Sequence, residues 1–254
     1  MKKILKILGV LAAIIIVGLI VLRFAFSERM PKGEQGAAAD ALAEKMLRAI
    51  NKPAWDSTGV VQWTFHGRSE HDFLWDKTRN WVQVKWAENE VYVVLDSLTG
   101  VAFENGKRLE GEKADELVKT AWEFFANDSF WLNAPAKVFD KGTERRLVKL
   151  DDGKEALLIT YVSGGVTPGD SYLWILDENG LPTAWKMWVK IIPIGGTPTT
   201  WYDWTTLETG AKIAQNHSLE IAGKKMDIAI TNLKAAKDLT SFGLSKDPFV
   251  VLGE

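Results

Sequence analysis

Residues 170–189, DSYLWILDENGLPTAWKMWV, decide how this 254-residue chain is read. They predict two β-strands, 172–176 and 183–189, joined by a turn at Asp177, Glu178, Asn179 and Gly180. Tyr172, Trp174 and Leu176 alternate with Leu173 and Ile175, so the first strand is apolar on both faces. A strand of that kind needs a cover on each side. What covers the two faces, and whether one is left open to a ligand, is the functional question.

Outward from this hairpin the pattern repeats. Strands are predicted at 60–66, 72–75, 80–86, 91–96 and 101–103, the last ending at the hairpin dipeptide Asn105-Gly106. Beyond residue 140 they are predicted at 145–150 and 156–162. Residues 191–196 are read as continuing the second strand of the hairpin, followed by strands at 199–207, 212–220 and 226–233. Close spacing without intervening helices points to an antiparallel meander of roughly ten strands, wide enough that it must curl.

Two amphipathic segments supply covers. In 37–51, Leu42, Met46, Leu47 and Ile50 share a stripe; in 112–126, Leu117, Val118, Ala121, Trp122 and Phe125 do. Residues 127–140, NDSFWLNAPAKVFD, are aromatic and irregular and read as a loop or lid at the sheet edge. The tail from Lys234 reads as loosely held until 249–252.

The N-terminus has a different composition. Lys2, Lys3 and Lys6 precede an apolar run from 7 to 22, closed by Arg23. This is read as a membrane anchor that leaves the body in the periplasm at a bacterial inner membrane. A cleaved signal, with Ala25-Phe26-Ser27 as its site, is the alternative and gives a soluble periplasmic protein. Residues 1–29 thus form the anchor or signal, 30–36 (MPKGEQG) a linker, and 37–254 one domain.

Composition excludes several function classes. With no cysteine there is no disulfide framework, thiol nucleophile, thiolate metal site or lipid-modified N-terminal cysteine. The chain has 31 basic and 33 acidic side chains, and five basic residues precede Met30 against Glu28 alone. An acidic body without a basic tract argues against nucleic acid and against a general grip on anionic lipid heads.

Twelve tryptophans, eleven phenylalanines and four tyrosines dominate the rest. Trp63, Phe65, Trp75, Trp86, Trp122, Phe125, Trp174, Trp185 and Trp188 are candidates to line an apolar cavity; a filled aromatic core is the competing reading. Sugar stacking at Trp201–Trp204 is a third, minor option. Asp170 and Asp203 are polar candidates that an acid/base hydrolase would bring together. His66 and His71, with Glu70 or Asp72, flank a turn and could offer metal-ligand chemistry, but a solvated turn is the preferred reading. Asp128 with Arg145 or Arg146 reads as a structural ion pair. Ser163 and Ser171 lie beside the glycine-rich stretch 163–169, but there is no G-x-S-x-G elbow and no phosphate loop. No catalytic residue, metal or cofactor is assigned.

The helix ADALAEKMLRAIN, the strand start VVQWTF, the helix inserted mid-sheet and the phrase LDENGLPTAW together resemble the bacterial lipoprotein-localisation carriers, LolA/LolB-like, over roughly residues 37–235. The resemblance implies a mainly β (α+β) fold: one curved antiparallel sheet forming an unclosed β-barrel covered by two helices. It also implies a concave apolar face that receives lipid or lipoprotein acyl chains. The chain lacks the cysteine of a lipid-anchored acceptor, and an uncleaved anchor does not suit a shuttling carrier. The expectation is therefore a non-enzymatic, membrane-anchored periplasmic protein binding an apolar or lipid-like ligand. An envelope interaction protein with a filled core is the alternative, and a carboxylate hydrolase the second.

Overall fold

The computed structural model describes every residue except 1, 164–166, 222 and 254. Within the N-terminal helix it leaves out the side chains at 2, 5, 12, 13, 16 and 19–25. Helix α1 (Lys2–Phe26) is followed by α2 (Ala37–Ala49) and a short α3 (Lys52–Ser57). Six strands come next: β1 (Val60–His66), β2 (Glu70–Asp76), β3 (Trp81–Trp86), β4 (Asn89–Val94), β5 (Thr99–Glu104) and β6 (Lys107–Arg108). Helix α4 (Glu112–Asn133) interrupts them and runs into a 3-10 turn, Ala134–Lys137. The chain then forms β7 (Thr143–Lys149), β8 (Glu155–Tyr161), β9 (Ser171–Leu176), β10 (Pro182–Trp188), β11 (Thr197–Thr206), β12 (Lys212–Ile221) and β13 (Lys224–Ala236).

All thirteen strands join in one sheet of order β6-β5-β4-β3-β2-β1-β13-β12-β11-β10-β9-β8-β7, with antiparallel neighbours throughout. The two meanders are stitched together by β1 against β13, and β6 and β7 remain as edges, so the barrel is unclosed. Its curvature follows from side-chain contacts. Phe125 and Phe130 are five residues apart on α4, about 7.5 Å of axial rise. Yet Phe125 meets Trp75 of β2 at 5.1 Å, and Phe130 meets Tyr161 of β8 at 5.3 Å between ring centroids. In a flat sheet those strands would lie about 34 Å apart at about 4.8 Å per strand. The sheet therefore wraps around α4.

The hairpin that opened the reading divides as its alternation requires. Tyr172, Trp174, Trp185 and Met187 enter the core under α4. Leu173 packs on the opposite face with Val148, Ala156 and Leu158, joined there by Ile175 and Trp188. In the turn, Asp177 Oδ1 accepts from the backbone N–H groups of Asn179 (2.9 Å) and Leu181 (2.7 Å). Gly180 has φ 90°, and a Cβ there would stand 3.0 Å from the Lys45 carbonyl oxygen; the bare backbone lets α2 approach.

Several expectations are corrected. Residues 127–140 are no edge lid: α4 continues to Asn133 and buries Asp128, Ser129, Trp131, Leu132 and Asn133, because its apolar stripe persists past residue 126. Residues 191–196 do not extend β10 but form a loop that returns at Thr197. The tail is tied down. Helix α5 (Leu239–Phe242) is closed by a capping box between Asp238 and Ser241, and Phe249 is buried beside Val60, Leu74 and Tyr92 on the outer face. Arg79 grips Asp247 through both amino groups (2.6 and 2.9 Å) and Asp76 through Nε (2.6 Å), holding the Asp247 carboxyl below its ordinary pKa.

The segment after α1 also contacts the fold. The Glu34 N–H and carbonyl pair with Leu147 of β7 (2.9 and 2.8 Å), and Trp188 Nε1 donates to the Glu28 carbonyl (2.9 Å). In α1 the side chains of Ile4, Ile7, Leu8, Val10, Leu11, Ile14, Ile15 and Val17 are exposed. Among the described residues no helix is long and apolar enough to cross a membrane. The run 7–22 and the Ala25-Phe26-Ser27 site include side chains outside the described residues.

Candidate functional site

The concave face is built by alternation. On β1, Trp63 and Phe65 point inward; on β2, Phe73 and Trp75 do; β9, β10 and β11 send in Trp174, Trp185 and Trp201. Cross-strand registry then pairs them, the first stacked and the other two edge to face. Trp63 lies opposite Phe73 with centroids 4.5 Å apart, Trp174 opposite Trp185 at 4.7 Å, and Trp201 opposite His217 at 4.2 Å. Against this surface α4 lays Phe124, Phe125, Phe130 and Trp131. Trp131 alone meets Trp185, Trp201 and His217.

Of the nine aromatic candidates, Trp63, Phe65, Phe125, Trp174 and Trp185 are buried in this core, with Trp75 and Trp86 half-buried at its margin. Trp122 is half-buried on α4 outside the cluster, and Trp188 lies on the opposite face. The space between α4 and the sheet bordered by Trp55, Leu132, Trp204 and Ile213 is about 10 Å³, no more than one water occupies. In this conformation α4 and the 3-10 turn fill the concavity. A wider open groove, about 240 Å³, lies elsewhere along β10–β12 beside Pro198, Tyr202, Ser218 and Glu220.

The filled face is nevertheless polar in an unusual way. The indole nitrogens of Trp63, Trp174, Trp185 and Trp201, the Tyr161 hydroxyl, Asn133 Oδ1 and both ring nitrogens of His217 are buried with no hydrogen-bond partner among the described residues. Buried indole N–H and phenol groups ordinarily find partners, and each one left without costs about 1–3 kcal/mol. Burial lowers the His217 pKa to about 3, keeping the ring neutral; the Trp131 backbone opposes this without reaching hydrogen-bond geometry. Burial likewise raises the pKa of Tyr161 and Tyr172, which remain neutral hydroxyls.

The polar candidates separate. Asp170, at the start of β9, accepts from Thr167 Oγ1 and from the Lys190 N–H (3.0 Å). Asp203 lies within β11 at φ 55° and accepts from Asn216 Nδ2 (2.7 Å). Registry puts Asp170 near the Thr197 end of β11; Asp203 is six residues on, about 20 Å along a strand. They share no cleft, and each is accounted for by its local hydrogen bonds.

His66 and His71 also part. His66 faces Glu70 (3.0 Å) and Thr231 (2.8 Å), while His71 turns inward, with Nδ1 2.7 Å from Asp128 Oδ2 and Nε2 2.9 Å from Ser69 Oγ. Asp128 therefore pairs with His71; Arg145 pairs with Asp40 (2.6 Å) and Arg146 with Glu144. Burial raises the Asp128 pKa, opposed by its hydrogen bonds from His71 and from Asn127 Nδ2 (2.8 Å). The Ser69–His71–Asp128 chain is invisible in sequence. Its histidine lies on β2 and its serine in the turn just before it, but its aspartate arrives from a stretch read as a loop.

No protein-family model matches the chain, and no curated protein matches it in sequence. Solved structures to which it is similar include a DUF1329 family protein from Desulfovibrio piger, at 11% identity over 78% of this chain and 92% of that one, with a TM-score of 0.41. A putative outer membrane lipoprotein-sorting protein domain from Vibrio parahaemolyticus is similar at 10% identity over 79% and 97%, TM-score 0.33. The Mycobacterium tuberculosis lipoprotein LppX is similar at 12% identity over 77% and 96%, TM-score 0.26. Identity is low throughout, and each of these TM-scores lies below 0.5.

Proposed function

We propose that this chain is a periplasmic binding protein for an apolar or lipid-like ligand, tethered to the inner membrane by α1. The ligand is received on the concave aromatic face of the half-barrel, and the C-terminal half of α4 occupies that face in its absence. The row of buried indole, phenol and imidazole groups without partners supports this reading most. An acyl chain bearing ester or hydroxyl oxygens brings both the apolar surface and the acceptors these donors lack. The plug is itself a compromised core element. It carries Asp128, Ser129 and Asn133 inward, so its displacement exposes polar groups that water solvates well.

Delipidated protein titrated with a fluorescent fatty-acyl probe tests this, read by energy transfer from the interior tryptophans. Uptake at micromolar probe is expected, and Trp131→Ala, which thins the plug, is expected to tighten it. A preparation that takes up no probe, with or without that substitution, sinks the proposal.

A second reading, an envelope interaction protein, is favoured by the tight filling of the concavity. It places a protein partner on the outer groove along β10–β12. Site-specific photocrosslinks from Tyr202 to another envelope protein, together with no probe uptake, would decide for it.

A further inference from the structure

We infer that Ser69, His71 and Asp128 form an acyl-transfer site at the mouth of the half-barrel, with Ser69 as nucleophile toward carboxylic esters of apolar acyl groups. The inference concerns the state in which α4 fills the concave face, since that state brings Asp128 to His71, and it does not rest on ligand uptake.

The order of hydrogen bonds is the one such chemistry requires. An exposed hydroxyl (Ser69 Oγ) lies 2.9 Å from His71 Nε2, and the other ring nitrogen, Nδ1, lies 2.7 Å from a carboxylate that is 2% exposed. Asp128 is a positioning residue. It holds the imidazole with Nδ1 as its donor, which leaves Nε2 free to accept the serine proton, and Asn127 Nδ2 fixes its second oxygen. The ring is also clamped by stacking. Phe124 lies over it at 3.9 Å and 20°, and Phe65 is near-parallel at 6.4 Å.

The turn that carries Ser69 is anchored as well. A Cβ at Gly67 would stand 2.6 Å from the Phe65 ring, so only glycine lets the turn close onto it, and the Gly67 N–H donates to the Ser69 carbonyl (3.3 Å). Half-buried Phe124 and Trp86, edge to face at 5.3 Å, give an apolar wall beside the histidine on which an acyl group can lie. The exposed Arg68 side chain and the turn backbone at 68 and 69 are the donors nearest in sequence to the oxygen that gains charge.

In the reaction Ser69 Oγ attacks the ester carbonyl carbon while His71 Nε2 takes its proton. The tetrahedral oxyanion then collapses, the bond to the alkoxy group breaks, and the leaving alcohol carries off that proton. Water, deprotonated by the same Nε2, attacks the acyl-serine. The carboxylic acid leaves and the proton returns to Ser69 Oγ. No redox change and no co-reactant other than water is involved.

The full-length chain, treated with a fluorophosphonate and analysed by intact and peptide mass spectrometry, tests the inference, alongside its hydrolysis of p-nitrophenyl butyrate. One adduct, on Ser69, is expected. Ser69→Ala, at an exposed position, is expected to lose the adduct and about 100-fold or more of the rate. Asp128→Asn is expected to lower the rate by a similar factor and alter the pH profile, whereas Ser97→Ala, on a distant exposed turn, leaves both unchanged. Absence of an adduct on the wild-type protein overturns the inference. So does an adduct elsewhere, or hydrolysis that survives Ser69→Ala; in those cases the serine only holds the histidine ring.

Discussion

The two faces of this sheet bury aromatic residues in opposite styles. Under the tail, on the outer face, the charged groups at the core's edge are paired. Arg79 is held between Asp76 and Asp247, and its guanidinium lies 4.4 Å from the Trp81 ring and 5.2 Å from that of Phe249. Under α4, on the concave face, indole and imidazole groups go without. A surface whose only task is stability has its hydrogen bonds completed, as buried polar groups generally do. One that leaves several incomplete gives up stability.

Substitutions can break this contrast, the strongest first. Trp131→Ala removes the side chain that spans Trp185, Trp201 and His217, and should cost about 3–5 kcal/mol in chemical denaturation. If the plug were a loose lid instead of a packed element, the loss would stay below about 1 kcal/mol on the scale set by exposed sites.

The pH dependence comes next. His217 has its folded pKa lowered to about 3 by burial, against 6.5 unfolded, so the unfolded chain binds the proton first as pH falls. Its contribution is complete above pH 6.5 and drains away toward pH 3, on the order of 5 kcal/mol in all. Asp128 acts in the other direction: its raised pKa gives stability at low pH that is lost as pH rises through the folded value. Comparing wild type with His217→Phe isolates the first effect, and melting curves between pH 6.5 and 4.5 should be flatter for the variant.

On the outer face, Arg79→Ala should cost about 2 kcal/mol, because buried Asp76 loses its charged partner. It should also release residues 238–253 to limited proteolysis while leaving acyl-probe uptake intact. A change in uptake would mean that the two faces are coupled. Smallest of all, Glu28→Ala breaks the exposed contact with Lys186 (2.6 Å) and should shift stability by no more than about 0.5 kcal/mol.

Much of the architecture was legible because strand periodicity is local. The alternation in 172–176 and 183–189 announced a hairpin apolar on both faces, and Asn105-Gly106 announced another, with both residues at positive φ (51° and 73°). Residues 127–140 were misread for an equally local reason: Asn127, Asp128, Ser129 and Asn133 weaken helix propensity, and only packing against β9–β12 holds that turn of α4 in helical form. The tail was misread because its anchor, Arg79, lies 168 residues away from Asp247.

The amino-acid sequence by itself determined which side chains alternate, where turns fall and that the sheet must be covered twice, since these depend on neighbours within a few residues. Which aromatic rings face inward is also half-written there, as parity along each strand. Only the tertiary structure decided that Trp174 and Trp185 share the core with α4 while Trp188 faces away from it, and that His71 meets Asp128. Absolute face and long-range partner are set by the curling of thirteen strands around one helix, and no short stretch of sequence carries that geometry.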